Sequence, residues 1–305
     1  MGIFVEQLIN GLAVGSFYGL VALGYSMVYG VMKLINFAHG DLFTLGSYLG
    51  YTFLVWATGW ITLSAGAWLG MAAAMAFAFA GIGLAGIMME RVAYRPVYPA
   101  GRLPLVVSAL GMSIFIQNGI MALWGPRFQV YPSALVPTAF FEIGGLRITF
   151  LKAFILILTF LVMGVIYYIV ERTTFGAAVR ASALDRETAT LLGIDIRRVI
   201  FFAFALGPAL GGMAGVMNGM YYRSITFSMG WNYGLKAFTA TILGGIGNIP
   251  GAMIGGLLLG IMETMFAGYF PGGGAWKDGF TFLVLIMVLI FRPTGLIGEK
   301  TAEKV

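Results

Sequence analysis

The chain predicts an all-α polytopic membrane protein with roughly 8–9 transmembrane helices, one of them an interrupted or re-entrant segment near 236–250. Three observations carry that expectation. Of 305 residues, 60% are hydrophobic and only 10% charged, whereas soluble domains carry about 25% charged residues. Mean hydropathy is +0.92. Apolar runs of about 20 residues, the length that crosses a hydrocarbon core, recur along the whole sequence. A soluble fold of this size would expose far too much apolar surface.

The spans read at roughly 5–29, 38–57, 61–89, 104–124, 149–170, 198–221 and 277–292, with an interrupted apolar region over about 235–270. The N-terminus lacks a basic leader and its apolar run continues as a full span, so no cleavable signal peptide is expected. Three connections are basic. One holds Arg91, Arg95 and Arg102; the next Arg172, Arg180, Arg186, Arg197 and Arg198; the last Arg292, Lys300 and Lys304. Cytoplasmic loops are enriched in Lys and Arg, so these three face the cytoplasm.

Parity then places the N-terminus outside and the C-terminus inside. The loop 125–148, with Tyr131, Pro132 and Pro137, lies outside, as does 222–235. Both ends of the 235–270 region are therefore external. Its halves are short for two full spans at 1.5 Å per residue. A half-length or re-entrant helix near 236–247, a break, and a fuller helix from about 250 to 268 satisfy both conditions. Residues 1–305 read as one transmembrane domain with a cytoplasmic segment at about 171–198.

Glycines mark close packing. Gly207, Gly211, Gly215 and Gly219 fall every four residues, and Gly251, Gly255, Gly256 and Gly260 repeat the device. Small residues at this spacing let helix backbones approach in a membrane. The same smooth faces could also slide during a transport cycle.

Two polar breaks interrupt the apolar runs. KLINFAHGDLF carries Lys33, Asn36, His39, Gly40 and Asp41; LGGIGNIPGAM carries Gly244, Gly245, Gly247, Asn248, Pro250 and Gly251. Paired Gly/Pro-interrupted segments in the two halves of a transporter sequence point to a translocation pathway, because freed backbone groups need protein or water partners. A structural reading stands beside this one. Asn36 suits a helix cap and Asp41 the first turn of the helix that follows. His39 is one lone histidine and forms no relay chain. Glu263, in the last third of its helix, can snorkel or pair with a partner. Gln117 and Asn118, inside the fourth span, are pathway or inter-helix candidates.

Residues 176–195, GAAVRASALDRETATLLGID, form a polar, helix-prone stretch between two apolar runs. Gly193 followed by Ile194 suits a helix C-terminus, and Asp195 can cap the next span. Ala177, Ala178, Ala181 and Ala183 are small enough to enter a groove on another protein. Arg180, Asp185, Arg186 and Glu187 can make polar contacts at its rim. A solvated helix that binds nothing is the alternative, since charge runs are often only wet.

The chain carries no engine of its own. It lacks a G-x-x-x-x-G-K-[ST] phosphate loop, and the dipeptide Gly-Lys never occurs. No span shows the paired buried carboxylates expected of an ion-driven carrier; Asp41 and Glu263 are the acidic candidates inside the membrane. Cysteine is absent and histidine occurs once, which removes disulfides, thiolate chemistry and His-cluster metal sites. With no G-x-S-x-G elbow either, an intramembrane enzyme has almost nothing to build on. The net charge of +6 chiefly reports loops that orient the chain, and gives a nucleic-acid partner little support.

YSMVYGVMKLINFAHGDLF, ERVAYRP, VRASALDRETATLLGID, KAFTATILGGIGNIPGAMIGGLLLG and FRPTGLIG occur in this order. Together they resemble the marks of LivH-type permeases of bacterial branched-chain amino acid ABC importers, over nearly the entire chain. The resemblance implies a plasma (inner) membrane subunit paired with a related LivM-like permease. Two cytoplasmic ATPases would bind beneath them, holding the ATP and Mg, with no cofactor on this chain. A soluble binding protein would deliver Leu, Ile, Val or a related solute from outside. The stretch from Arg180 to Gly193, including Leu192, would be the coupling helix. Asn36, His39, Gly40 and Asp41, with Gly245, Gly247, Asn248 and Pro250, would lie near the pathway and gates. Relatives of this permease type handle urea or short amides, which stands as the alternative solute class; a self-sufficient channel or carrier is the alternative mechanism. The external Arg127, Arg147 and Arg223 could meet an acidic face of the binding protein, or be scattered surface charges.

Overall fold

The computed structural model describes residues 2–57, 66–132, 136, 139–143 and 146–298. Pro137, Lys300, Lys304 and the first residues of the third expected span, 61–65, lie outside the described residues.

The architecture is a bundle of long helices, as the apolar runs require. They are α1 (Gly2–Met32), α2 (His39–Ala57), α3 (Gly66–Met89), α4 (Arg102–Trp124), α5 (Phe150–Arg172), α8 (Ile196–Tyr222), α9 (Met229–Gly244), α10 (Ile249–Tyr269) and α11 (Gly273–Phe291). Two short helices, α6 (Thr174–Leu184) and α7 (Arg186–Leu191), fill the connection between α5 and α8. Among the described residues, seven helices are long and apolar enough to cross a membrane: α1, α3, α4, α5, α8, α10 and α11. α2 and α9 pack among them, against α8 and α10 respectively, and with seven such helices the chain is a multi-pass membrane protein. At 16 residues, α9 rises about 24 Å, short of a hydrocarbon core of about 30 Å.

α1 and α8 are the most enclosed spans. α1 packs against α10, α8 and α9, while α8 packs against α3, α1 and α2. The glycine faces make these contacts. Gly256 and Gly260 of α10 lie against Gly19 and Gly15 of α1, and Gly207 of α8 lies against Gly24. Ser47 of α2 donates to the Gly215 carbonyl at 2.6 Å, and Tyr131 in turn donates to the Ser47 carbonyl at 2.6 Å.

Small antiparallel pairings decorate the end of the bundle where α4 finishes and α5 begins. β1 (Gln129–Val130) pairs with β4 (Ser224–Ile225), and β2 (Phe140–Ile143) pairs with β3 (Leu146–Thr149). At the opposite end lie the C-termini of α1, α3, α5 and α11, together with α6 and α7.

Two expectations are corrected in detail. The helix expected from about 236 begins at Met229 instead. Lys236 looks like a boundary in a hydropathy reading, but its charge is paired inside the protein and the helix continues through it. The single helix expected over 176–195 is two. Asp185 sits extended at φ −151°, ψ 114° and accepts from the backbone N–H groups of Glu187 and Thr188, capping α7 and ending α6. A short carboxylate capping from β-region backbone starts a new helix.

Candidate functional site

The first polar break joins α1 to α2. Lys33 turns the chain with φ 53°, and His39 N–H returns to the Asn36 carbonyl at 3.0 Å. The buried Asn36 side chain accepts from the Ala38 N–H at 3.1 Å and from the Tyr94 hydroxyl at 2.8 Å. It therefore caps the entry to α2 and ties it to the end of α3. Burial, and then Arg186 nearby, hold the Lys33 ammonium below the usual lysine range.

His39 is fully buried, its ring 4.5 Å from that of Tyr25. It fills a notch left by Gly24 and Gly211. One residue on, Gly40 is where α2 crosses α9. A Cβ there would lie 2.1 Å from the Gly230 carbonyl oxygen, so only glycine fits. Asp41 accepts from Ser113 of α4 at 2.5 Å. The Gln117 side chain, one turn along α4, is half-buried and hydrogen-bonds to none of the described residues, while Asn118 is exposed and donates to the Ile114 carbonyl at 2.8 Å.

The second break separates α9 from α10. Gly245 (φ 116°) and Gly247 (φ 86°) adopt backbone angles that side chains disfavour. Asn248 caps α10 by accepting from Gly251 N–H at 2.7 Å, and donates to the Ile297 carbonyl at 3.0 Å. Pro250 occupies the first turn, where its missing N–H costs nothing. The C-terminal segment closes over this break: Leu296 N–H reaches the Leu243 carbonyl at 2.8 Å, and Ile297 N–H the Gly244 carbonyl at 3.1 Å. Gly247 also lies beside Tyr29, near the end of α1. Both breaks therefore meet at one end of the bundle.

The α6–α7 hairpin belongs to that same end. Arg186 donates through Nε to the Val31 carbonyl at 2.9 Å, gripping the last turn of α1 just before the first break. Arg180 donates to the Val170 carbonyl and faces Glu171 at 3.5 Å. Ala181 and Ala183 are half-buried. Gly193 takes φ 85° at the C-terminus of α7, with Ile194 N–H returning to the Ala189 carbonyl. Leu184, Leu191 and Leu192 are 84%, 87% and 75% exposed. These leucines give the short hairpin exposed apolar side chains beyond the spans.

Sequence reasoning missed Lys236. It is 5% exposed and lies 2.8 Å from Glu263, itself 4% exposed, and 2.7 Å from Asp278. Tyr18 donates to the other Glu263 oxygen at 2.9 Å and Thr281 at 3.4 Å. Four helices thus share one charge network toward the end opposite the hairpin. Ionisable groups inside membranes are rare, paired and commonly functional. The available signal was a lysine and a glutamate in neighbouring apolar runs, each in need of a counter-charge. Among the described residues no group of three His, Asp or Glu could hold a metal. The arrangement offers packing, ion pairing and two breaks in the helices.

Comparison with known proteins gives the same class. A family model described as branched-chain amino acid transport system, permease component, matches residues 7–289. The high-affinity branched-chain amino acid transport system permease protein BraD of Pseudomonas aeruginosa is 42% identical, covering 99% of this chain and 98% of that one. The LivH permease protein of Escherichia coli K12 is 41% identical at the same coverage. A probable LivM permease protein of Methanocaldococcus jannaschii is 30% identical over 44% of each chain. No solved structure matches. With full-length agreement at this level, the chain belongs to the family of permease components of branched-chain amino acid transport systems.

Proposed function

We propose that this chain is the membrane-spanning subunit of an ATP-driven importer for branched-chain amino acids, working with a second, LivM-like permease. One ATPase subunit docks on the α6–α7 hairpin, which faces the cytoplasm of a bacterial inner membrane, and a second ATPase binds beneath the partner permease. A soluble binding protein delivers solute to the opposite face. The translocation pathway runs beside the two interrupted regions, the α1–α2 and α9–α10 breaks.

The observation that carries this reading is the grip of Arg186 on the last turn of α1. Movement of the hairpin by a partner would pull directly on the segment between Val31 and His39. Through Tyr29 and Gly247 it would also load the second break. ATP hydrolysis on a partner would reach both hinges by one lever, which fits a chain without a phosphate loop. Discrete elements with two arrangements, rather than continuous deformation, transmit such coupling.

Co-expression with the ATPase and LivM-like partners tests it. Leu191→Ser with Leu192→Ser should remove ATPase co-purification and ATP-driven uptake of leucine while membrane insertion persists. Retention of both would end the docking assignment. Substrate class is tested separately, by competing leucine uptake with isoleucine, valine, urea and short amides.

A further inference from the structure

A cavity at the end of α3 is not used by the transport reading. α3 continues as a π-helical turn, Glu90–Tyr94, then a 3-10 segment, Arg95–Ala100, with Pro96 and Pro99. The first residues of α8 form the facing wall, and the cavity between them measures about 470 Å³. That volume falls within the range of small-molecule sites, roughly 300–1,000 Å³.

Its lining is strongly basic. Arg91, Arg95, Arg197 and Arg198 surround it, with Glu90 as the one lining carboxylate. Glu90 is buried and already accepts from the Tyr98 hydroxyl at 3.0 Å. Arg198 has a partner in Asp195 at 3.1 Å. Arg91, Arg95 and Arg197 form no ion pair among the described residues, and Arg91 lies over the Phe201 ring at 5.9 Å. Clustered guanidinium groups beside an aromatic wall repel one another unless an anion joins them. Their planar forks match phosphate oxygens two at a time.

The surroundings identify the source of that anion. Leu84, Met88 and Val92 are exposed along the outward face of α3, and Phe202 is exposed on α8. Met88 precedes Arg91 by one turn, so the apolar stripe runs into the arginine cluster. A ligand with acyl chains on the stripe and a phosphate in the cavity satisfies both surfaces. Basic pockets between membrane helices commonly hold acidic headgroups. We propose that this cavity binds a phosphate anion supplied by the headgroup of an acidic phospholipid such as phosphatidylglycerol. The inference stands apart from ATPase docking and from solute identity.

The test uses the purified full chain. In native mass spectrometry the wild type should retain phosphatidylglycerol at least tenfold better than phosphatidylcholine. The combined Arg91→Gln, Arg95→Gln, Arg197→Gln and Arg198→Gln variant should lose that preference and retain the two lipids equally. Substituting Arg127→Gln and Arg223→Gln elsewhere should change nothing. Where the fourfold variant does not fold, a photo-reactive phosphatidylglycerol on the wild type should crosslink within 84–99 or 197–202; crosslinks confined elsewhere overturn the site. Equal retention of the two lipids by the wild type, or undiminished retention by a folded variant, overturns it too. Inorganic phosphate that displaces the lipid at equal concentration would assign the cavity to a free anion instead. If the glutamine substitutions spare lipid on the purified chain but strip the ATPase from the co-expressed complex, the cavity is a protein dock and the lipid site is wrong.

Discussion

The Lys236–Glu263 pair is the sharpest residue-level commitment in the fold. Both charges are withdrawn from water and bonded at 2.8 Å, with Tyr18, Thr281 and Asp278 supplying the remaining partners. Breaking a buried pair by removing one member typically costs about 3–5 kcal/mol, because the other charge stays buried and unpaired. Lys236→Met should therefore lower the thermal unfolding midpoint in mild detergent markedly. The double substitution Lys236→Met, Glu263→Met should recover much of the loss, since apolar replacements of similar volume often match a buried pair. A double variant no more stable than the single one would show that the two charges are not a coupled unit. Gly40 makes a second commitment at this scale. Alanine there meets the Gly230 carbonyl and should reduce folded yield and unfolding temperature. Alanine at Gly30, which meets nothing within 4 Å, should be neutral or slightly stabilising through better helix propensity. Comparable loss in both would place the effect in propensity rather than in the α2–α9 crossing.

At the scale of elements, the α9–α10 break depends on one side chain. Asn248 caps α10 and also holds the C-terminal segment through Ile297. Asn248→Ala should cost about 1 kcal/mol from the cap alone. Asn248→Asp keeps the acceptor and loses the donor, so it should fall between. Hydrogen exchange at Leu296 and Ile297 would report the order directly: wild type slowest, aspartate intermediate, alanine fastest. Equal exchange in all three would mean that the tail is held by its backbone bonds to Leu243 and Gly244. Much of this element was legible beforehand, because Gly, Asn and Pro at close spacing have local backbone consequences. The cap at Asp195 and the turn at Gly193 were legible for the same reason. The division of α6 from α7 was not, since Asp185 can continue a helix or cap a new one and only its backbone angle decides. The α9 start at Met229 was hidden too. Lys236 sits buried within that helix against a partner 27 residues away on another helix, and no local pattern encodes a pairing of that kind. Asn36 and Asp41 were recognisable as polar groups in an apolar run, while Tyr94 and Ser113 as their partners were not.

The whole molecule has two unlike ends, and the proposed coupling depends on which one faces the cytoplasm. At one end both chain breaks, the C-terminal segment and the α6–α7 hairpin converge on the last turn of α1. At the other lie the short strands and the ion pair Arg147–Glu142 at 2.7 Å. The excess of arginine at the hairpin end supports a cytoplasmic assignment, because basic loops resist translocation. The chain has no cysteine, so single substitutions report without background. Leu191→Cys, at an exposed position of the hairpin, should react with a membrane-impermeant maleimide only after cells are permeabilised. Arg147→Cys on the strand pair should react in intact cells, at the same rate before and after permeabilisation. The reversed pattern would put the hairpin outside, where no nucleotide-driven partner can reach it. The lever from Arg186 through Val31 to the two hinges would then have nothing to pull it, however well the helices pack.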